Sequence, residues 1–222
     1  MSPGSGPGGS VPTTGHRPIW GILLAAGRGT RFGRTKHDLE LGGVPMWRWS
    51  RDSLLQGGVE RLVVVGDFEG AIAGGERRRD SVAAGLAHIP SQDGYVLVHD
   101  AARPLVSVDV VRRVIARLVA GDVAGVIPAI PVRDTIKRVV GGVVVETVDR
   151  APLVSVQTPQ GFDLRGLRRA HATFAGDPTD DAAMVEATGG KIAVVEGDVA
   201  NIKVTYREDF ALARALRSGH HA

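Results

Sequence analysis

The sequence predicts an α/β fold in which a Rossmann-like, mainly parallel sheet is covered by helices on both faces. Two observations lead to this expectation. Short apolar runs such as YVLVHD (95–100) alternate along the chain with segments of helical spacing such as VDVVRRVIARLVA (108–120). In addition, 222 residues suit one core, so we expect one domain over 18–222 after a tail at 1–17.

The composition excludes several functional classes. Cysteine is absent, which removes disulfides, zinc–thiolate sites and thiol catalysis, and fits a reducing cytoplasm. No apolar run approaches the roughly 18 residues of a membrane-spanning helix, and the Gly-, Pro- and Ser-rich N-terminus predicts a disordered tail instead of a secretory signal. The net charge of +3 is small, so we expect neither a nucleic-acid nor a membrane partner. The one basic run, Arg77 to Arg79, is either a solvated helix start or a contact for a small phosphorylated ligand.

The elements follow one another in a regular order. IWGILLAA (19–26) is a continuous apolar run that ends in glycine, which is typical of a central strand buried on both faces. MWRWSRDSLLQ (46–56) has helical spacing, with Pro45 expected at its first position and Gly57-Gly58 after its end. The same reasoning predicts further strands at 61–66, 95–100, 123–130, 154–157 and 191–195, and further helices at 79–89, 108–120, 163–174, 180–188 and 207–217.

One region breaks this alternation. Between Asp134 and Pro152, TIKRVV and VVVETV flank Gly141-Gly142 without a helical crossover, a pattern that predicts a β-hairpin. The apolar face of this hairpin has no obvious helix to cover it. We therefore expect a protruding arm at about 134–152 that packs on another subunit.

The first candidate site is the glycine-rich turn after the first strand, LLAAGRGTRFG (23–33). Ligands of open parallel sheets bind beyond the carboxyl ends of the strands, and glycines let backbone amides approach phosphate oxygens. Arg28, Arg31 and Lys36 add positive charge at the same edge. The spacing matches neither the Walker loop nor the dinucleotide fingerprint. The turn is either a structural loop or a phosphate cradle, and the nearby cations favour the cradle.

The second candidate site is VHDAARP (98–104), where Asp100 and Arg103 lie at the carboxyl edge of the third predicted strand. These two side chains either pair with each other or act on ligands. In the second case Asp100 would bind a metal ion or a sugar hydroxyl, and Arg103 would hold a substrate group. Lys203 in NIKVT (201–205) is flanked by apolar residues and by itself indicates no function.

Taken together, eight segments in order resemble the 2-C-methyl-D-erythritol 4-phosphate cytidylyltransferase family of the non-mevalonate isoprenoid pathway. They are LLAAGRGTRFG, GG followed by RDSV (74–82), VHDAARP, PVRDTIK (131–137), VDR (148–150), QTPQGF (157–162), TDDAAMVE (179–186) and NIKVT. The resemblance covers nearly everything after the tail and implies a fold of the nucleotidyltransferase type. It also implies transfer of CMP from CTP to the 4-phosphate of methylerythritol phosphate, with Mg²⁺ bridging the triphosphate oxygens.

The resemblance further implies roles for individual residues. The catalytic set would be Arg31, Lys36, Arg150 and Lys203, of which Arg31 and Lys36 would stabilise the pentacoordinate transition state. CTP would contact Ala25, Ala26, Gly27, Gly29, Gly75, Glu76, Ser81 and Ala101. The polyol phosphate would contact Asp100, Arg103, Thr135, Thr158 and Thr179 together with Lys203. Asp100 is also the one candidate metal ligand, while the triphosphate would hold most of the Mg²⁺. The hairpin would be the arm of a homodimer and would carry Thr135 and Arg150 into the partner subunit's site.

Two features depart from the family pattern. Thr35-Lys36-His37 stands where the family usually has Pro-Lys-Gln, so the loop that holds the lysine lacks a rigid proline, and Arg34 could replace part of the lysine's role. Only DFEGAIA (67–73) separates the second predicted strand from Gly74, where the family commonly has a helix and another strand. The cytosine pocket could therefore be assembled differently.

Two alternatives to the implied function stay open. One is a cytidylyltransferase for another polyol phosphate such as ribitol 5-phosphate, built on the same fold. The other is a catalytically silent nucleotide-binding module, which the altered lysine loop motivates. Some members of the family are fused to the cyclodiphosphate synthase of the same pathway, and we expect no such domain after the last helix of this sequence.

Overall fold

The computed structural model describes residues 16–26 and 39–219 of the chain. Within these ranges, strands β1 to β11 span Ile19–Leu24, Glu40–Leu41, Val44–Pro45, Arg61–Val65, Tyr95–Asp100, Gly125–Pro131, Ile136–Val140, Val143–Val148, Val154–Val156, Gln160–Asp163 and Ile192–Glu196. Helices α1 to α6 span Met46–Gln56, Arg78–Ala87, Val108–Val119, Leu164–Thr173, Asp181–Ala187 and Arg207–Gly219. In this part of the chain, none of the helices has the length and apolarity needed to cross a membrane.

Seven strands form one central sheet, with the order β11-β6-β10-β5-β1-β4 and with β9 paired to β6. Strands β4, β1, β5, β6 and β11 run in one direction, which confirms the predicted mainly parallel sheet, whereas β10 and β9 run against their neighbours. The register places Leu24 beside both Val65 and Asp100. The carboxyl ends of β1, β4 and β5 therefore meet at one edge of the sheet.

The sheet is covered on both faces, as predicted, because neighbouring residues of each central strand point to opposite sides. On one face Ile22 and Val98 belong to a core cluster that includes residues of α2, α4 and α5. On the other face Leu23 and Leu97 pack with residues of α1 and α3. All six residues of β5 are buried, which places this strand at the centre of the fold.

Strand β10 is the one element of the central sheet that the sequence did not predict. It is four residues long and contains Gly161, so it lacks the β-branched, alternating pattern of a strand. A Cβ on Gly161 would lie 2.8 Å from the side chain of Val114 in α3, and Phe162 is fully buried. Tertiary packing therefore determines that this segment forms a strand, although its own sequence does not have a strand pattern. The two-residue strands β2 and β3, which pair with each other, were likewise not predicted.

The helix starts agree with the predicted ones to within one or two residues. Ser107, Asp163 and Asp180 cap α3, α4 and α5, and each side chain accepts a hydrogen bond from a backbone N–H of the first turn. Helix α1 corrects a detail of the prediction. Pro45 is the residue before the helix and not its first helical residue.

The chain is fixed just before β1, earlier than the predicted end of the tail at residue 17. The guanidinium of Arg17 donates to Asp93 at 2.6 Å and to Asp163 at 2.5 Å, and lies 4.2 Å from the ring centre of Tyr95. Arg17 therefore belongs to the folded domain. Residues 1–15 of the predicted tail lie outside the described residues.

Strands β7 and β8 form the predicted hairpin, joined by Gly141 and Gly142 with φ of 57° and 80°. Positive φ at both turn residues is what a two-residue type I′ turn requires. No other described strand pairs with this hairpin. Five valines of the hairpin are more than half exposed, namely Val139, Val140, Val143, Val144 and Val145. The hairpin thus presents an apolar surface that the described part of this chain leaves open.

Candidate active site

A pocket of about 460 Å³ opens at the edge of the sheet where β1 and β5 end. Its walls come from the segment after β1, the start of α2, the turn after β5, the first residues of α1, and Lys203. Ligands of open α/β sheets bind at this edge. Residues 27–38 follow directly on the first wall and lie outside the described residues, and with them Gly27, Gly29, Arg31 and Lys36. The roles of these four residues stay predictions.

Backbone hydrogen bonds between neighbouring strands fix the wall formed by three alanines. The N–H of Ala25 donates to the carbonyl of Val65 at 2.7 Å, and the N–H of Ala101 donates to the carbonyl of Leu24 at 2.9 Å. Ala25, Ala26 and Ala101 all line the pocket. Their small side chains allow a ligand to approach the main chain closely, so the structure brings these predicted nucleotide contacts together.

The wall at the start of α2 depends on a close approach of two loops. A Cβ on Gly74 would lie 2.6 Å from Cβ of Ala26 and 2.8 Å from Oγ of Ser81, so a side chain there would push the loops apart. The hydroxyl of Ser81 accepts a hydrogen bond from the N–H of Gly75 at 3.1 Å. Gly75, Glu76 and Ser81, the predicted cytosine contacts, all line the pocket. The short segment 67–73 is held by a bridge between Val65 and Ile72.

Asp100 is the charged centre of the pocket. Its carboxylate accepts from Nε of Arg78 at 3.0 Å and from Nζ of Lys203 at 2.7 Å. Burial by itself raises the pKa of Asp100, but the two cations outweigh burial and hold that pKa well below its usual range. Asp100 is therefore ionised throughout the physiological pH range and keeps two cationic side chains at the pocket wall.

Asp100 and Arg103 do not form an ion pair with each other, which was one of the two interpretations of the sequence. The N–H of Arg103 donates to the carbonyl of Asp100 at 2.9 Å and closes a turn after β5. From this turn the guanidinium donates to the carbonyls of Asn201 at 2.7 Å and Val156 at 3.3 Å, away from the pocket wall. Arg103 thus ties the C-terminal segment to the sheet, and its predicted contact with substrate stays a prediction.

Arg78 connects the pocket to the interior, although no sequence motif marked this arginine individually. Its Nη1 donates to Asp181 at 2.7 Å, and Nε2 of His171 lies 3.0 Å from the other oxygen of that fully buried carboxylate. Burial lowers the pKa of Arg78, but Asp100 and Asp181 outweigh this effect and raise it above its ordinary value. The basic run at 77–79 was the available signal. It is neither a wholly solvated helix start nor a uniform phosphate site, because Arg79 donates to the carbonyl of Phe174 at 3.3 Å.

Behind Asp100 lies a pair of buried polar side chains, His99 and Thr158. Nδ1 of His99 lies 2.9 Å from Oγ1 of Thr158, and Nε2 lies 3.2 Å from the carbonyl of Arg103. Burial lowers the pKa of His99 to about 4 although the nearby Asp100 opposes this, so the ring is neutral near pH 7. Oγ1 of Thr158 accepts from the N–H of Asp100 at 3.1 Å. Thr158, a predicted substrate contact, is 5% exposed and does not line the pocket.

The remaining predicted site residues divide into two groups. Lys203 lines the pocket from the irregular segment 201–205. Thr135, Arg150 and Thr179 are exposed and lie outside the pocket of this single chain. Arg150 donates to the carbonyl of Arg133 at the base of the hairpin. Separation from the pocket agrees with the expectation that Thr135 and Arg150 act on a partner subunit's site, but it does not test that expectation.

An aromatic pair adds an apolar wall that no sequence motif indicated. The ring of Trp47 in α1 lies 5.0 Å from the ring of Phe68, and Trp47 lines the pocket together with Met46. The guanidinium groups of Arg48 and Arg51 each lie 5.5 Å from the Trp47 ring. Sequence spacing placed Trp47 on a helix, but only the tertiary fold brings that helix start to the sheet edge.

The described residues do not fit a metal site held by the protein alone. Among them there is no group of three or more acidic or histidine side chains that could bind a metal ion. Asp100 is the predicted ligand, and each of its carboxylate oxygens already accepts from a cation. Mg²⁺ requires a near-octahedral set of oxygen ligands, which one engaged carboxylate does not supply.

Known proteins identify the family to which these features belong. A family model described as IspD, 2-C-methyl-D-erythritol 4-phosphate cytidylyltransferase, matches residues 19–218. The chain belongs to this family. The match runs from β1 to α6 and includes every wall of the pocket, and it confirms the resemblance drawn from the eight sequence segments.

Individual relatives of the IspD family agree with this assignment. The 2-C-methyl-D-erythritol 4-phosphate cytidylyltransferase of Rhodococcus jostii is 44% identical over 219 residues, which cover 91% of this chain and 96% of that protein. The bifunctional enzyme IspD/IspF of Nitratidesulfovibrio vulgaris is 42% identical over 227 residues, covering 88% of this chain and 57% of that protein, so this chain spans little more than half of its length. The solved structure of 2-C-methyl-D-erythritol 4-phosphate cytidylyltransferase from Thermus thermophilus has a TM-score of 0.73 and 32% identity, covering 89% of this chain and 98% of that one.

Proposed function

We propose that this chain transfers CMP from CTP to the 4-phosphate of 2-C-methyl-D-erythritol 4-phosphate and releases pyrophosphate. One observation carries the proposal, namely the composition of the pocket in this member of the IspD family. One wall is the loop at Gly75, and another holds the carboxylate of Asp100 between two cations. The name of the Rhodococcus jostii relative states this activity for that protein. The pocket gives the present chain a place to perform it.

In the proposed reaction an oxygen of the polyol phosphate attacks the α-phosphorus of CTP. A new P–O bond forms while the bond from the α-phosphorus to the bridging oxygen of the β-phosphate breaks, and its electron pair leaves with pyrophosphate. The attacking phosphate is already anionic, so no side chain has to remove a proton first. The protein has to align two anions and offset the charge that builds between them. Arg78 and Lys203 suit this task because both are cations held in place by Asp100.

The two substrates would occupy different walls. We place the nucleotide along Ala25, Ala26 and Ala101, with the cytosine ring at the loop of Gly75, Glu76 and Ser81, whose carboxylate and main-chain atoms can recognise the base edge. We place the polyol phosphate beside Asp100 and Lys203, where a carboxylate can accept from a hydroxyl and an ammonium can bind a phosphate oxygen. Arg31 and Lys36 are proposed to act on the triphosphate.

We propose that Mg²⁺ enters with CTP as part of the nucleotide substrate. The triphosphate supplies the oxygen ligands that the described residues lack. Turnover should stop when EDTA is added and return when Mg²⁺ is restored in excess. Turnover that continues in EDTA at full rate would contradict this proposal.

We further propose that the chain acts as a homodimer in the cytoplasm, with each hairpin packed on the partner subunit. The exposed valines of β7 and β8 support this arrangement, because an apolar surface of this kind is unusual on a monomer. Thr135 and Arg150 at the base of the hairpin would then complete the partner's site.

A pyrophosphate-release assay tests the proposed activity. The chain is supplied with CTP and Mg²⁺ and, in separate reactions, with 2-C-methyl-D-erythritol 4-phosphate, ribitol 5-phosphate or no acceptor. We expect turnover with the first acceptor only. Preference for ribitol 5-phosphate would replace the proposed acceptor, and binding of CTP without turnover on either acceptor would support a silent nucleotide-binding module.

A further inference from the structure

His99 is a buried polar side chain for which the proposed reaction has no direct use. It is fully buried and does not line the pocket. Side chains alternate along β5, so His99 points to the opposite face of the sheet from its neighbour Asp100. A buried polar group must find hydrogen-bond partners, and the partners of His99 lead back to the pocket.

Taken together, the contacts of His99 with the carbonyl of Arg103 and with the hydroxyl of Thr158 indicate one set of hydrogen-bond directions. A carbonyl oxygen only accepts, so Nε2, which faces the carbonyl of Arg103 at 3.2 Å, carries the proton of the neutral ring. Nδ1 is then bare and accepts from the hydroxyl of Thr158 at 2.9 Å. The oxygen of that hydroxyl accepts in turn from the N–H of Asp100 at 3.1 Å. A chain of hydrogen bonds therefore runs from the buried ring to the main chain of the central carboxylate.

In this chain of hydrogen bonds, the hydroxyl of Thr158 acts both as a donor and as an acceptor. A threonine hydroxyl has one proton, and with the proton of the ring on Nε2 the hydroxyl donates its own to Nδ1 of His99. Thr158 has no second proton to donate to a ligand. Its geometry differs from that of a substrate contact, because its oxygen faces the main chain of Asp100 and its side chain is 5% exposed.

The other nitrogen of His99 stabilises the turn that carries the pocket wall. Nε2 holds the carbonyl of Arg103, whose N–H donates to the carbonyl of Asp100. Within this turn the carbonyl of Ala102 accepts from the N–H of Val204 at 2.7 Å, which brings the adjacent Lys203 beside the turn. The position of Lys203 relative to Asp100 thus depends on a turn that His99 closes.

We propose that His99 and Thr158 are positioning residues, which orient Asp100 and Lys203 for the polyol phosphate without touching it. The proposal rests on the proposed function for its kinetic consequences. The directions of the hydrogen bonds do not depend on that function. They are fixed by the fold and can be measured on the protein without substrate.

The first test is the tautomer of His99. Nitrogen-15 chemical shifts of labelled histidine distinguish a protonated ring nitrogen from a bare one, and the signals of His99 are identified by their loss in His99→Gln. At pH 7 we expect a protonated Nε2 and a bare Nδ1. A proton on Nδ1, or on both nitrogens, would overturn the proposal. This result stands whether or not the chain turns over any acceptor.

The second test compares kinetics of the full chain with CTP and 2-C-methyl-D-erythritol 4-phosphate. Thr158→Val and His99→Gln should each lower kcat/KM for the polyol phosphate about tenfold, with KM for CTP within about twofold of the original value. The double variant should lose no more than the worse single variant, because both residues act through one chain of contacts. Thr158→Ser should retain the original kcat/KM and the original chemical shift of Nδ1, since it keeps the hydroxyl.

Contrary results are equally specific. If Thr158→Val loses activity while His99→Gln keeps it, Thr158 acts on the substrate directly and the proposal is wrong. If the losses of the two single variants multiply in the double variant, the residues act separately and the proposal is again wrong. Absence of turnover by the original chain with any acceptor would overturn the proposed function, while the tautomer measurement would still decide the hydrogen-bond chain.

Discussion

The pocket wall around Asp100 and the hairpin of β7 and β8 distribute charge in opposite ways. At the wall, the ion pair of Arg78 with Asp181 joins side chains that are 29% and 0% exposed. On the hairpin, the ion pair of Arg138 with Glu146 joins side chains that are 62% and 49% exposed, among valines that are also exposed. The wall pairs its central carboxylate with two cations, and one of them, Arg78, also pairs with a fully buried carboxylate, whereas the hairpin leaves both its charges and its apolar groups to solvent or to a partner.

This difference predicts how much free energy of folding each region loses when one of its ion pairs is broken. A buried ion pair is costly to break, because the remaining charge has lost both water and its partner. Breaking an exposed ion pair costs little free energy, because water solvates both charges. We therefore expect changes in the wall to affect this chain directly, and changes in the hairpin to affect mainly its association with a second copy.

The largest effect on stability is expected for Asp181→Ala. The change leaves Arg78 and His171 without the carboxylate that both contact. The free energy of unfolding in urea should fall by about 4 kcal/mol. Glu186→Gln, an exposed residue of the same helix, is the control and should change it by less than about 0.5 kcal/mol. A loss for Asp181→Ala as small as that of the control would mean that the buried pair is not formed.

A smaller effect is expected from the titration of His99. In the unfolded chain this residue binds a proton at its ordinary pKa of 6.5, whereas the folded protein has a pKa of about 4 at this position. The stability that the neutral buried ring contributes is complete above the higher pKa and is lost as the pH falls through the interval between the two values. Between pH 7.5 and 4.5 the original chain should lose roughly 2 to 3 kcal/mol more than His99→Gln. Equal losses would show that His99 is not buried in neutral form.

The hairpin is tested by a pair of matched substitutions. Val144 in β8 and Val194 in β11 are each 55% exposed, and only the first is on the proposed dimer surface. Val144→Lys should shift sedimentation from dimer to monomer, with a cost to association of about 2 kcal/mol for the lost apolar contact and the buried charge. Val194→Lys should leave the dimer intact. Dissociation by both variants, or by neither, would be evidence against a dimer held by this hairpin.

The smallest effect is expected for Arg138→Ala, which removes the exposed ion pair with Glu146. The free energy of unfolding should change by no more than about 0.5 kcal/mol. A loss of unfolding free energy as large as that of Asp181→Ala would show that the two regions do not differ in the cost of breaking an ion pair.

The sequence predicted the regions in which local pattern and tertiary structure agree. The apolar run of β5, the amphipathic α3 and the Gly141-Gly142 turn each form the element that their spacing indicated. Strand β10 was missed because the space beside Val114 leaves no room for a side chain at position 161, so a glycine stands where a strand pattern would have a larger residue.

The candidate site was predicted only in part, for a similar reason. Motifs marked Asp100 and Lys203, which meet in the pocket although 103 residues separate them. They did not show that Arg78 pairs with Asp100, or that His99 lies behind it, because these contacts come from the packing of α2 against β1 and β4 and from the path of residues 157–160. Sequence motifs indicated part of the pocket lining, and the fold determined which of the indicated residues lie there.

The Lys203→Met variant is the sharpest test of the claim that the polyol phosphate reacts beside Asp100 and Lys203. Transfer of α-phosphate-labelled CMP from CTP to 2-C-methyl-D-erythritol 4-phosphate is measured in single turnovers for this variant and for Lys191→Met, an exposed lysine outside the pocket. We predict that Lys203→Met slows transfer about 100-fold, a loss of about 3 kcal/mol of transition-state stabilisation, while Lys191→Met transfers at the original rate. Transfer by Lys203→Met at the original rate would contradict the claim and place the reaction elsewhere.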